Sequence, residues 1–327
     1  MYNAILYTIT VCVWGSTWLA IKYQVGDIPA IQSVFYRFMI AAVLLQLFLI
    51  LTKRIKIYNL QAHKLFAILG LCLFGVNYLL FYLAAEYGLT TGIEAVIFSF
   101  LISMNILNNA LFFKEKPDRN VLIGATIGIL GILALFQNEL YELINGTAVG
   151  IGVLFSIVAT YLASLGNMAS KKLQRLNINV ISANAWGMTY GVVFLFTIAL
   201  LTTDHFQFSF ENSYLISLGI LAILGSIVAF GAYLTLLGRI GADRAAYATI
   251  VFPVIALILS SIYESYEWSI LKIFGIILII VGNLVILGKI KFQKQLRMLG
   301  SIDPNISKIA RQKSPHLNKR TSNEKRF

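Results

Sequence analysis

The 327 residues are 58% hydrophobic and only 12% charged, with a mean hydropathy of +0.80. Soluble domains carry about 25% charged residues, so this chain has too little polar surface to coat a water-soluble globule. Lys and Arg outnumber Asp and Glu 26 to 14, a net charge of +12, and on so apolar a chain that excess points to orientation in a membrane rather than to nucleic acid.

Ten apolar runs follow along the chain. The first covers 4–21 and places Thr10, Trp14, Thr17 and Trp18 on one helical face before ending at Lys22. The second, 31–51, carries Arg37 about 10 Å below its start at 1.5 Å per residue. The third, 65–85, lines up Tyr78, Tyr82 and Glu86, with Asn77 to one side. The fourth, 93–113, opens at Glu94 and puts Glu94, Phe98, Leu101, Asn105, Asn108 and Phe112 on one stripe. The remaining runs are 121–137, 148–170, 180–201, 214–236, 245–262 and 270–288. A helical crossing takes about 20 residues, so the expected fold is all-α and polytopic, with ten transmembrane helices.

Charge tests that count. With the N-terminus inside, 23 of the 26 basic residues fall in cytoplasmic loops and the tail, leaving Lys22, Arg37 and Lys272. The opposite loops carry acids such as Asp27, Glu86, Asp204, Glu211 and Glu264. The positive-inside rule then places both termini in the cytoplasm. Residues 289–327 hold 11 basic and 2 acidic residues, with Pro304, Pro315 and several Ser and Asn. They read as a disordered cytoplasmic tail suited to anionic lipid.

The chain also repeats itself. Gly75 and Gly225 are 150 residues apart, as are Ala95 and Ala245; Glu115 and Glu264 are 149 apart, and Gly124/Gly131 return as Gly275/Gly282 at 151. Five spans per copy force the second copy to enter from the opposite side. The expected units are residues 1–137 and 138–288, two inverted five-helix repeats of the kind that place a solute site between halves. Gly124-x-x-x-Gly128, Gly146-x-x-x-Gly150 and Gly187-x-x-x-Gly191 suit close helix packing.

Several stretches carry a resemblance. They are Val13-Trp14-Gly15-Ser16 in the first run, Tyr36-Arg37-Phe38 in the second, Ala95 to Ser99 with Phe112-Phe113-Lys114-Glu115 in the fourth, and Phe252-Pro253 in the ninth. With ten spans, the chain resembles the drug/metabolite transporter superfamily of EamA type over residues 1–288. The resemblance implies a multi-pass permease of the bacterial inner membrane that moves amino acids, related metabolites or drugs, often outward. Carriers of nucleotide sugars and lipid-linked sugars share the superfamily and form the alternative. The family commonly has a proline in the middle of the fourth span, where this chain has Ser103 or Met104, so a kink is expected only at Pro253.

Ionisable groups inside a span are costly and face a cavity or one another. Lys22, Arg37, Glu86 and Glu94 fall in one layer toward the outer side, and Arg37 is expected to pair with Glu86 or Glu94. The two acids are the candidates for carrying a coupling proton. The candidate solute pathway comprises Trp14, Thr17, Arg37, Asn77, Tyr78, Tyr82, Glu86, Glu94, Asn105, Asn108, Trp186, Tyr233 and Tyr247. The Asn-bearing stripe of the fourth span suits either solute lining or helix–helix hydrogen bonding. Glu115 and Glu264 are expected to hold helix ends, pairing with Lys116 or Lys272. Cys12 and Cys72 read as small buried hydrophobes. The sequence has no P-loop, no G-x-S-x-G elbow and no clustered metal ligands, so neither enzyme chemistry nor a cofactor is expected. The expected partners are a small-molecule substrate and membrane lipid, with no nucleic acid.

Overall fold

A computed structural model describes residues 2–26, 28–114, 119–135, 148–240, 245, 248–264 and 268–286. The regular elements among these residues are all helices, in the order α1 (Tyr2–Lys22), α2 (Ala30–Leu51), α3 (Leu60–Glu86), α4 (Thr91–Phe113), α5 (Arg119–Leu135), α6 (Ala148–Arg175), α7 (Val180–Thr202), α8 (Asn212–Ile240), α9 (Ala248–Tyr263) and α10 (Ile270–Ile286). Seven of these, α1–α4 and α6–α8, are long and apolar enough to cross a membrane. The described parts of α5, α9 and α10 hold 17, 16 and 17 residues. At 1.5 Å per residue that is about 25 Å, short of the roughly 30 Å of hydrocarbon a span must cover. The outer faces are apolar, with Val43, Leu44, Leu47 and Phe48 exposed on α2, and Ile273, Phe274 and Ile277 on α10. Such a surface is unsuited to water and suited to lipid. Cys12 is part of it and Cys72 is only half-buried, so neither is the core residue expected.

Helix ends inside or near hydrocarbon need partners for their free amides and carbonyls. The side chain of Asn59 accepts from Ala62 N at the start of α3, and that of Asn179 from Ile181 N and Ser182 N at the start of α7. Two glutamates cap from a distance: Glu86 accepts from Ala30 N at 3.0 Å, and Glu264 accepts from both N and Oγ1 of Thr91. The structural role expected of Glu264 is therefore filled by the α4 N-terminus. Glu115, Lys116 and Asp27 lie outside the described residues.

Glycines set the closest contacts. A Cβ on Gly131 would stand 2.7 Å from Gly275 O, and one on Gly282 would stand 2.6 Å from Gly124 O. The α5–α10 seam is thus built from the two glycine pairs that recur in the sequence. Gly187 and Gly191 of α7 receive Gly70 of α3 in the same way.

Two helices widen locally into π-helical turns, Gly70–Gly75 in α3 and Ile220–Val228 in α8. A third irregularity lies in α4, where no proline is present. The helix breaks at Ser99–Phe100, between Thr91–Phe98 and Leu101–Phe113. Ser99 Oγ donates to Val96 O at 2.7 Å and also receives Asn283 Nδ2. A hydroxyl that bonds back to the preceding turn bends a helix without proline, whereas α9 runs helically through Pro253.

Side-chain contacts gather at two ends. One end joins Lys22 Nζ to Tyr263 O, Gln24 to Tyr214 O and Ser217, and Tyr36 to Gln207 O. The other joins Asn3 to Arg239, Asn109 to Lys171, and Phe113 to the Arg175 guanidinium. α1 and α8 therefore run in opposite directions. Their pairings are also matched: α3 packs on α6 as α8 packs on α1, α3 on α7 as α8 on α2, and α4 on α6 as α9 on α1.

Candidate functional site

Arg37 is 2% exposed although its guanidinium is charged. It reaches inward from α2, seven residues below Ala30. Nε donates to Ser226 Oγ at 2.9 Å, and Nη1 points to Tyr82 OH at 3.5 Å. The Tyr78 ring lies 4.2 Å from Cζ, at cation–π distance. Nη2 faces Gly225, where a Cβ would come within 3.3 Å. Both hydrogen-bond partners are neutral. The ion pair expected with Glu86 or Glu94 does not form: Glu86 is taken by Ala30 N, and both carboxylate oxygens of Glu94 lack a partner. The reason is reach. Glu86 sits at the end of α3 and turns back onto the first turn of α2, while Glu94 is enclosed in the first turns of α4.

Ser226 was not among the sequence candidates, yet it holds the guanidinium. It sits in the π-helical turn of α8, and its hydroxyl also donates to Leu221 O, five residues back, at 2.9 Å. The wide turn likewise leaves Gly225 O free to accept Trp14 Nε1 from α1 at 3.3 Å. The recurrence of Gly75 at Gly225 was the sequence signal that could have found this turn.

Around Arg37 is a narrow cleft with ≈ 20 Å³ of free space, lined by Trp14, Thr17, Trp18, Tyr78, Phe98 and Phe252, with Ile21 and Leu221. Its aromatic wall is continuous. Trp14 packs on Phe230, Tyr233 and Phe252 at 4.9–5.8 Å, and Trp18 on Phe81 and Phe98 at 5.0 and 5.9 Å. Below it lies a second polar group that sequence reasoning missed. Asn167 of α6, fully buried, donates to Asn105 Oδ1 and Tyr233 OH, both at 3.4 Å.

Of the sequence-derived candidates, Trp14, Thr17, Arg37, Tyr78 and Tyr82 come together here, and Asn105 and Tyr233 meet at Asn167. Asn77 and Asn108 act between helices instead: Asn77 Nδ2 donates to Ala159 O and Asn108 Nδ2 to Ser164 Oγ, each at 2.8 Å, joining α3 and α4 to α6. Trp186 is remote from the cleft. It lies near the start of α7, edge-on to His63 at 5.0 Å and parallel to Phe66 at 6.2 Å. Glu86 holds a helix end, Glu94 is fully buried beside α9, and Tyr247 lies outside the described residues.

Comparison with known proteins gives a consistent picture. The model of a family described as EamA-like transporter family matches residues 2–137 and again 150–288. A probable amino-acid metabolite efflux pump of Escherichia coli (strain K12) is 23% identical over 304 residues, covering 90% of this chain and 98% of that protein. An uncharacterized transporter of Archaeoglobus fulgidus is 28% identical over 300 residues, covering 88% of this chain and all of its own. An uncharacterized inner membrane transporter of Escherichia coli (strain K12) is 24% identical over 278 residues, covering 83% and 88%. One protein of known crystal structure superposes with a TM-score of 0.62 at 14% identity, covering 87% of this chain and 96% of its own; this is a likeness of fold.

Proposed function

The chain belongs to the EamA-like transporter family, and on that premise we propose that it is a secondary carrier exporting a small organic solute, an amino acid or related metabolite, across a bacterial inner membrane by alternating access. The observation that carries this reading is the cleft at Arg37. Its walls come from α1, α2, α3 and α4 of the first half of the chain and from α8 and α9 of the second, and rearrangement between the halves would open it alternately to the two faces. The names of the Escherichia coli relatives support the solute class, the outward direction and the inner membrane.

In this reading the chain makes ten crossings as two inverted five-helix repeats, α1–α5 and α6–α10. The matched helix pairings, the two π-helical turns at corresponding places and the reciprocal glycine seam between α5 and α10 support it. Both termini are cytoplasmic, and the basic residues 289–327 rest on anionic lipid. Glu86 and Glu94 are the groups available to carry a coupling proton. Glu94 is the better placed, because it is enclosed and holds no hydrogen bond that protonation would cost.

The test is counterflow and gradient-driven uptake in proteoliposomes with a panel of labelled amino acids and metabolites, with and without a pH gradient. Saturable transport that depends on the gradient in the wild type, and ceases to in Glu94→Gln, is the expected result. Transport of no solute in the panel refutes the carrier reading.

A further inference from the structure

We propose that the solute binds through a carboxylate, and that Arg37 is the group that receives it. This rests on the carrier reading above and names the chemistry of its site. A guanidinium keeps its proton under all ordinary conditions. Burying it without a counter-charge is expensive, and an intramembrane cation normally has a named partner. Here the immediate partners are the Ser226 and Tyr82 hydroxyls and the face of the Tyr78 ring, all neutral. Among the described residues no carboxylate bonds to the guanidinium, and the cleft is where a negative charge can enter.

The geometry favours a planar anion. Ser226 holds Nε and the Tyr78 ring covers one face, so the guanidinium cannot swing away. The Nη1–Nη2 edge is left: Nη1 has only a 3.5 Å contact, and Nη2 faces a glycine. Two parallel N–H donors on one edge match the two oxygens of a carboxylate. Gly225 matters here because any larger side chain would press on Nη2 and Thr17. Beyond the guanidinium the walls are Trp14, Trp18, Phe98 and Phe252, surfaces that take an apolar or aromatic body. The site therefore selects a molecule with a carboxylate at one end and a hydrophobic group at the other. The free space in the cleft is only ≈ 20 Å³, so the walls must part before a solute of amino-acid size can enter.

The experiment uses purified full-length protein in proteoliposomes and matched probes: L-phenylalanine against L-phenylalaninamide, and L-leucine against L-leucinamide. In detergent, quenching of Trp14 and Trp18 emission gives binding without transport. The wild type should bind and move the acids, and bind the amides at least about tenfold more weakly. Losing a hydrogen-bonded ion pair is worth about 10- to 100-fold. Arg37→Lys keeps the charge without the fork and should raise KM for the acids with little change in kcat. Arg37→Gln should abolish their preference over the amides. Ser226→Ala, which leaves the charge and frees Nε, keeps the test open if the Arg37 variants fail to fold; it should weaken the acids selectively. Equal affinity of the wild type for acid and amide overturns the proposal and leaves the carrier intact. An unchanged KM for the acids in Arg37→Gln also overturns it. No transport or quenching by either series overturns the proposal, and failure of the wider panel as well overturns the carrier reading itself.

Discussion

Replacing Gly275 by alanine tests the tightest seam in the bundle. Its new Cβ would stand 2.7 Å from Gly131 O, 2.7 Å from Leu135 N and 2.9 Å from Leu135 Cα. All three neighbours are backbone, so no flexible side chain can turn aside. Ordinary contact begins at 3.4 Å, and α5 and α10 must part by about 0.7 Å along this line. A gap of that size forfeits a quarter to a half of the dispersion attraction of each contact it opens, and overpacking of this kind costs about 1–3 kcal/mol. In a membrane, close approach is itself the main source of helix association, so hydrophobic transfer will not offset the loss. Thermal unfolding in detergent, followed by fluorescence-detected size exclusion, should show Gly275→Ala melting well below the wild type. Gly231→Ala is the control: nothing lies within 4 Å of its Cβ, and the helix gains about 0.8–1.0 kcal/mol. If both variants melt together, the α5–α10 contact is not what the glycines are for.

Other outcomes follow from single contacts. Asn77→Leu removes the hydrogen bond to Ala159 O and should cost about 0.6 and at most about 1.7 kcal/mol, read as a lower melting temperature with substrate affinity retained. Glu86→Ala uncaps α2 and should cost about 0.5–2 kcal/mol; Glu86→Gln keeps an oxygen acceptor for Ala30 N and should melt near the wild type. Trp186→Phe should leave transport KM unchanged, since the ring stacks near His63 and Phe66 away from the cleft. Reporter fusions at residues 1 and 327 should both show cytoplasmic activity, and a periplasmic signal from either overturns the proposed orientation.

Much of the bundle was legible because its causes are local. Apolar runs and glycine spacings are one-dimensional signals, and the recurring Gly124/Gly131 and Gly275/Gly282 proved to be each other's neighbours. Arg37 stood out because an ionised group in an apolar run is conspicuous. Its partner was not legible: Ser226 lies 189 residues away on a turn whose π geometry no residue type announces. The expected pairing with Glu86 or Glu94 failed because membrane depth fixes the layer a side chain occupies and not the direction it faces. Trp186 misled for the same reason, since aromatic identity does not say which end of a helix lines a cavity. Ser99 was read as part of a family stretch, while its hydroxyl bonds back to Val96 O at the interruption of α4.

The break in α4 differs in kind from the proline of α9. Pro253 lacks an amide hydrogen and cannot restore the missing backbone bond in any state, so whatever curvature it imposes on α9 is permanent. The Ser99 hydroxyl bonds to Val96 O, one turn back, without removing a backbone donor. The interruption in α4 is thus tied to a side-chain hydroxyl, whereas the residue that departs from regular helix bonding in α9 is a proline. Under the proposed two-repeat plan, α4 and α9 hold corresponding places, and that difference tells them apart.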